Sequence, residues 1–221
     1  AQLERLDLES ARSSIERAAA MSPGSANVQV HLANVQARLG WHAQAVETYR
    51  RATHLNPEAP APWIGLGNTL KTIGRQAEAI EAYRHATRLR PSNSEAWWSL
   101  SNLKTFHFED SEVEAIRRQL ETENLAEETR TQFSFALAKA FEDRGNYARA
   151  FELYAEGNRL RRKREHYDPV QTEVVNERIR AVFNARFLER HADQGEPDPA
   201  PIFVVGLPRS GSTLIEQILA S

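Results

Sequence analysis

Apolar, small and turn-forming residues recur along the first half of the chain with a period of 34 residues. Two consecutive blocks, 26–59 and 60–93, carry this pattern most fully. Each block predicts a pair of helices, because a glycine ends the first helix and a proline breaks the second. The matching positions are Leu32 and Leu66, Ala33 and Gly67, Gly40 and Gly74, Ala45 and Ala79, Tyr49 and Tyr83, Ala52 and Ala86, and Pro57 and Pro91.

These positions, together with Trp63, resemble the tetratricopeptide repeat pattern. The resemblance implies a right-handed solenoid of helical hairpins, in which each repeat contacts its neighbours. At positions 33 and 67 small residues let the paired helices approach, and the tyrosine of each repeat fills the gap to the next.

The repeats continue beyond these two blocks with one irregularity. A third block begins in register at Ser94, but its second half lacks the expected glycine, small residue and aromatic residue. Within it, Ser111 and Glu114 predict a new helix start. A fourth block resumes the pattern at Thr131. Residues 1–25 match only the second helix of a repeat, so we expect at least a half-repeat upstream.

After the repeats the pattern changes twice. Residues 169–190 predict a connecting helix, and residues 191–201 hold three prolines and a glycine, which predict a linker. A short apolar run at 202–205 then meets Gly206, a loop reading LPRSGST and a helical pattern reading LIEQILA.

The predicted organisation therefore has three parts. Residues 1–165 form the repeat solenoid, 166–200 the connecting helix and linker, and 201–221 the first strand, loop and helix of a truncated α/β domain similar to the P-loop fold. The fold class is mainly α, and a single strand in the last part has no predicted sheet partner within the chain.

A strand, a glycine-bearing loop and a helix in that order make a cradle for an anion at the helix N-terminus. Gly206 and Gly211 have the spacing of the nucleotide triphosphatase loop, but Ser212 stands where that loop needs lysine, which argues against ATP or GTP hydrolysis. Arg209 supplies a cation within the loop instead, and Pro208 before it stiffens the backbone. Further hydroxyl donors are Ser210, Ser212 and Thr213.

This loop resembles the donor-binding loop of the sulfotransferase family, most closely the branch that includes tyrosylprotein sulfotransferases and their bacterial relatives. The matching residues are Gly206, Pro208, Arg209, Ser210, Gly211, Ser212, Thr213 and Leu214. The resemblance implies that Pro208 to Thr213 bind the 5′-phosphate of 3′-phosphoadenosine-5′-phosphosulfate, the sulfuryl donor. Arg209 would contact that phosphate, steady the leaving group and so act as the catalytic residue. The family's general base and 3′-phosphate ligands lie beyond this helix, so we expect the chain by itself to be inactive.

A second candidate site lies on the repeats. Asn34, Asn68 and Asn102 recur at the 34-residue period on the first helices of three repeats, and Trp98 recurs with Val30 and Ile64. The asparagines resemble the ladder of the O-linked glycosyltransferase repeats, which implies a groove that holds a peptide by its backbone. The alternative is that asparagine at this position serves packing. The fourth repeat carries Lys139 there, so the ladder would be short.

Composition narrows the function further. The formal net charge is −2, which argues against general nucleic-acid binding, and no apolar stretch approaches the roughly 18 residues that span a membrane. The chain has no cysteine, and its histidines lack paired metal-ligand spacing, so we expect no metal site. A cytoplasmic location is expected, and oligomeric state is left open. Two functions remain: a sulfotransferase whose repeats bind an acceptor or partner peptide, and a non-catalytic scaffold for protein–protein interaction.

Overall fold

The computed structural model describes residues 2–165, 167–193, 202–206 and 211–220, with the side chains of these except at residues 2–7 and 9. The described residues form twelve helices and no strand. The first nine helices are α1 (Gln2–Met21), α2 (Ala26–Arg38), α3 (His42–Leu55), α4 (Pro60–Thr72), α5 (Gln76–Leu89), α6 (Ser94–Ser101), α7 (Asp110–Leu120), α8 (Glu127–Asp143) and α9 (Tyr147–Arg164). The remaining three are α10 (Pro169–Val182), α11 (Ala185–Arg190) and α12 (Ser212–Ala220).

Three helical hairpins, α2–α3, α4–α5 and α8–α9, form the regular part of the solenoid, and α3 packs on α4 to join the first two. This confirms the prediction of a mainly α repeat solenoid of tetratricopeptide type. The chain divides into two compact units, 1–165 and 166–221. The three-part division predicted from the sequence remains a prediction.

Each regular hairpin turns at a glycine in the left-handed region, with φ of 82° at Gly40, 79° at Gly74 and 74° at Gly145. The residue after each glycine donates its N–H to the carbonyl five residues before itself, as Trp41 does to Gln36, at 2.8–2.9 Å. This is the Schellman arrangement, which satisfies the last carbonyls of the first helix. The prediction that Gly40 and Gly74 end these helices is confirmed.

The third repeat is irregular, as predicted. Its first helix, α6, has only eight residues. Phe108 stands 34 residues after Gly74 and is buried, 4.9 Å from the ring of Phe106 and 6.2 Å from that of Trp97 between centroids. Because an extended, aromatic-rich segment replaces the end of the helix, α6 packs directly on α8.

The second helix of this repeat, α7, begins at Asp110 rather than at the predicted Ser111–Glu114 box. The backbone N–H of Glu109 donates to the carboxylate of Glu112 at 2.9 Å, which caps the helix two residues earlier than expected. The predicted new helix is present, but Glu109 has the capping role that was predicted for Ser111.

The second unit contains α10, α11 and α12, and none of their residues is buried. The connecting helix predicted at 169–190 is two helices, α10 and α11, which are separated at Phe183 and Asn184. The predicted strand is absent at residues 202–206, where Phe203 is 85% exposed and Val205 is 92% exposed. A strand depends on a neighbour for its ladder of hydrogen bonds, and no described residue supplies one. No helix in the described ranges is long and apolar enough to cross a membrane.

The core of the solenoid is organised around two buried tyrosines. Tyr83 is fully buried and lies against Gly67 of its own repeat, and Tyr49 lies against Gly65 of the next one. A side chain at either glycine would overlap the tyrosine ring, so these positions set how closely the helices approach.

Replacing Gly67 by alanine is expected to lower the free energy of unfolding by about 1–3 kcal/mol, the usual effect of overpacking. The added Cβ would lie 2.6 Å from Cε1 of Tyr83, whose ring is enclosed on all sides. Without this contact, the same change in a helix would stabilise by about 1 kcal/mol, so the sign of the effect is informative. Urea unfolding followed by circular dichroism measures it.

Gly24→Ala is the matched control, because a Cβ at Gly24 meets no atom within 4 Å. We expect its stability to stay within about 0.5 kcal/mol of the parent chain. A Gly67→Ala protein as stable as the Gly24→Ala protein would refute the proposed role of the tyrosine contact.

Candidate functional site

The predicted asparagine positions are tied to the buried tyrosines. The hydroxyl of Tyr83 donates to Oδ1 of Asn68 at 2.7 Å, and that of Tyr49 donates to Oδ1 of Asn34. Each pair joins the two helices of one hairpin across 15 residues of sequence. Because the amide oxygen accepts from the tyrosine, each asparagine is held with its NH2 group directed away from that bond.

Burial raises the pKa of both tyrosine hydroxyls. It raises the pKa of Tyr49 to about 12 and also raises the pKa of Tyr83 above its ordinary value. Both hydroxyls therefore remain neutral donors over the physiological range. The two asparagines themselves are exposed, so their amide nitrogens face solvent rather than the core.

Asn34 and Asn68 line one cavity of about 490 Å³ between the first two repeats. Helices α2, α3 and α4 form its walls, which also include Arg38, His42 and Thr72. Thr72 already donates its hydroxyl to the carbonyl of Asn68 at 2.9 Å. The cavity is therefore polar, and its two asparagines lie at equivalent positions of successive repeats.

Asn102 does not continue this arrangement, although it lies at the same period. Its Nδ2 donates to the carbonyl of Trp98 at 2.9 Å, at the C-terminal end of α6. Position 117, where the pattern would place the tyrosine, is arginine, so no phenol holds the amide. In the fourth repeat, Lys139 forms an ion pair with Asp143.

Trp98 lines a separate cavity of about 380 Å³ between the third and fourth repeats. Phe135 forms another wall, and its rim carries Arg161 and Arg164, which pair with Glu165 and Glu128 respectively. The indole of Trp98 is 37% exposed, so it is available for contact with a ligand. Of the four predicted groove residues, Asn34 and Asn68 thus share one cavity, Trp98 lines another, and Asn102 lies at the end of α6.

The terminal loop is described only from its second glycine onward. Pro208, Arg209 and Ser210 lie outside the described residues. Gly211 has a φ of 91°, a conformation that favours glycine, and its carbonyl accepts from the N–H of Ile215 at 3.1 Å. Helix α12 begins at Ser212, directly after Gly211, so Ser212 and Thr213 lie in the first turn, where backbone N–H groups have no carbonyl partner within the helix.

Seven residues that line the first cavity were not predicted from the sequence, among them Tyr49, Arg38 and His42. A signal existed for the tyrosines, because the spacing of 15 between asparagine and tyrosine occurs in each of the first two repeats. No comparable signal exists for Arg38 and His42, since the residues one period later are Thr72 and Gln76.

Two family patterns match parts of the chain. Residues 201–221 match the sulfotransferase family, and residues 4–91 match the bacterial transcriptional activator domain. Neither match reaches half of the chain.

Among curated proteins, an uncharacterized protein of Aquifex aeolicus strain VF5 is 36% identical over 112 residues, which are 51% of this chain and 15% of that protein. The chain thus spans only a small part of the length of this relative.

Solved structures show the fold. MamA aligns with 75% of this chain and 95% of its own at 16% identity and a TM-score of 0.54. MamA from Desulfovibrio magneticus RS-1, from residue 41 to the end, aligns with 74% and 90% at 17% identity and a TM-score of 0.53. At this identity the likeness establishes a shared helical solenoid architecture.

The buried phenols predict a loss of stability in alkali. A tyrosine in the unfolded chain ionises near pH 10, whereas Tyr49 in the folded chain has a pKa of about 12. The contribution of Tyr49 to the free energy of unfolding is therefore complete below pH 10. It falls by about 1.4 kcal/mol per pH unit as the pH rises from there to the folded pKa, where it is lost. Urea unfolding at successive pH values measures this slope, which we expect to be shallower in Tyr49→Phe.

Tyr147→Phe is the control, because Tyr147 is 70% exposed. It should retain the slope of the parent chain. Identical slopes in both variants would show that the alkaline loss arises from groups other than the buried phenol.

Proposed function

We propose that this chain is part of a sulfotransferase in which the repeat solenoid holds an acceptor or partner peptide and the terminal loop binds 3′-phosphoadenosine-5′-phosphosulfate. The observation that carries the proposal is the sulfotransferase family match at residues 201–221, which coincides with a helix N-terminus formed directly after Gly211. Backbone N–H groups at such a terminus suit a phosphate.

The chemistry follows from the charge that develops on the donor. An acceptor hydroxyl attacks sulfur while the bond between sulfur and the bridging phosphate oxygen breaks, and negative charge grows on the departing phosphate. Arg209 neutralises that charge, and the hydroxyls of Ser210, Ser212 and Thr213 add donors to the phosphate oxygens. A base that takes the proton of the acceptor hydroxyl is supplied by residues other than these.

The repeat solenoid supports a second role, the binding of a peptide or protein partner. Asn34 and Asn68 present amide N–H groups to one cavity at the spacing of one repeat. A peptide in extended conformation offers carbonyl oxygens to such donors. This role also stands alone, as a scaffold without catalysis, if the donor loop is inactive.

The donor site is tested by titrating adenosine 3′,5′-bisphosphate, the spent donor, into the full-length protein that carries this chain. Isothermal calorimetry is expected to show binding that weakens at least about tenfold in Arg209→Ala, because one charge-assisted contact to phosphate is worth roughly 1.5–3 kcal/mol.

Arg190→Ala is a suitable control, because Arg190 is an exposed arginine outside the loop. It should leave the affinity unchanged. If the folded protein does not bind the bisphosphate, or if both variants bind it equally well, the sulfotransferase proposal fails and the scaffold role remains.

The groove is tested by changing both asparagines to aspartate, Asn34→Asp with Asn68→Asp. Aspartate retains an oxygen that accepts from Tyr49 or Tyr83 but removes the amide donor, so the fold is kept while binding is lost. Capture of capped random peptides by the immobilised chain, quantified by mass spectrometry, should fall about tenfold.

Asn102→Asp serves as the comparison, because Asn102 lies outside the cavity that contains the other two asparagines. We expect it to capture as much peptide as the parent chain. Undiminished capture by the double variant would show that these asparagines serve packing alone.

A further inference from the structure

The cavity between α2, α3 and α4 differs from its neighbours in charge. Its walls contain no aspartate or glutamate, although the chain has 30 acidic residues. Four other cavities of the described solenoid each include at least two glutamates. The arginines of those cavities are largely paired, as Arg50 is with Glu78 and Arg84 with Glu112.

The groups that line the acid-free cavity are mostly hydrogen-bond donors. The Oδ1 atoms of Asn34 and Asn68 are occupied by tyrosine hydroxyls, which leaves their NH2 groups as the free ends. Arg38 is exposed and forms no ion pair within the described solenoid. Nδ1 of His42 is buried and makes no hydrogen bond there. The cavity therefore has a positive charge and surplus donors, but lacks an acceptor that carries negative charge.

We propose that this cavity binds the side-chain carboxylate of an aspartate or glutamate in an acidic peptide that lies along the repeats. A carboxylate has acceptor oxygens only, and it can take bonds from the amide groups and a fork of bonds from Arg38 at once. A backbone carbonyl would satisfy the amides but would leave the arginine without a counter-charge. The proposal rests on the peptide-binding role proposed above and names the class of peptide, and it does not depend on the donor loop.

The absence of acids also sets selectivity against other ligands. A basic peptide would bring its cations toward Arg38 with no carboxylate nearby to offset them. Three of the four other cavities hold two arginines and two glutamates each, and the fourth holds three arginines and two glutamates, so each of them offers carboxylates to a cationic side chain.

Calorimetry with two capped peptides tests the proposal, one alternating alanine and glutamate and the other alternating alanine and glutamine. The glutamate peptide should bind at least about tenfold more tightly, since a charge-assisted hydrogen bond exceeds a neutral one by about that factor. High salt should reduce the difference, because the arginine is exposed. Arg38→Gln should abolish it, and so should Asn68→Asp, which places an acid in the cavity.

Arg51→Gln is the matched control, since Arg51 is exposed on α3 and lies outside this cavity. It should retain the preference for glutamate. Equal affinity for the two peptides would overturn the carboxylate proposal while leaving a peptide groove in place. If neither peptide binds, both the carboxylate proposal and the groove beneath it fail. If Arg51→Gln and Arg38→Gln lose the preference alike, the effect belongs to general surface charge, and the cavity is not the site.

Discussion

A buried phenol that must keep a hydrogen-bond acceptor is the constraint from which most of the solenoid follows. Tyr49 and Tyr83 fill the space beside a glycine, and their hydroxyls enter the interior with them. A hydroxyl buried without an acceptor would destabilise the fold by about 1–3 kcal/mol. An asparagine 15 residues upstream supplies that acceptor from the groove-facing edge of the paired helix. In the first two repeats a small residue, a tyrosine and an asparagine therefore occur together. The fourth carries Lys139 at the asparagine position, and the hydroxyl of its Tyr154 donates to Glu142 instead.

The same asparagine connects packing to recognition. A primary amide has an acceptor end and a donor end, and the tyrosine occupies the first. The second is then held at the wall of the cavity in a fixed orientation, with little freedom left to lose when a ligand arrives. The packing and peptide-binding interpretations of the asparagines are therefore compatible. The amide oxygen takes part in packing, and the NH2 group is left to bind a peptide.

Much of the fold could be predicted because the solenoid is periodic. The 34-residue repeat in the sequence predicts the hairpins, their glycine turns and the irregular third block. Periodicity also produced the error at Asn102, since equal spacing implied an equal role, whereas the tyrosine that defines the role is missing at Arg117. The cavity beside Asn34 and Asn68 was only half predicted, because Arg38 and His42 have no counterparts one period later. A site between two repeats depends on residues that are not equivalent, and such residues leave no periodic signal.

The shortened helix α6 changes how the third repeat packs on its neighbours. In a regular array, each repeat exchanges contacts with the next through a complete hairpin, and the energy is a sum over such neighbours. Here α6 packs more extensively on α8 than on α5 before it, and α7 also contacts α8, so the short third repeat meets the fourth through both of its helices. One hydrophobic core runs through the repeats from Ala33 on α2 to Leu153 on α9, and it includes Tyr83 on α5 and Trp97 on α6. A cut at the connection between α5 and α6, like one between α7 and α8, would therefore expose buried side chains of this core in both fragments.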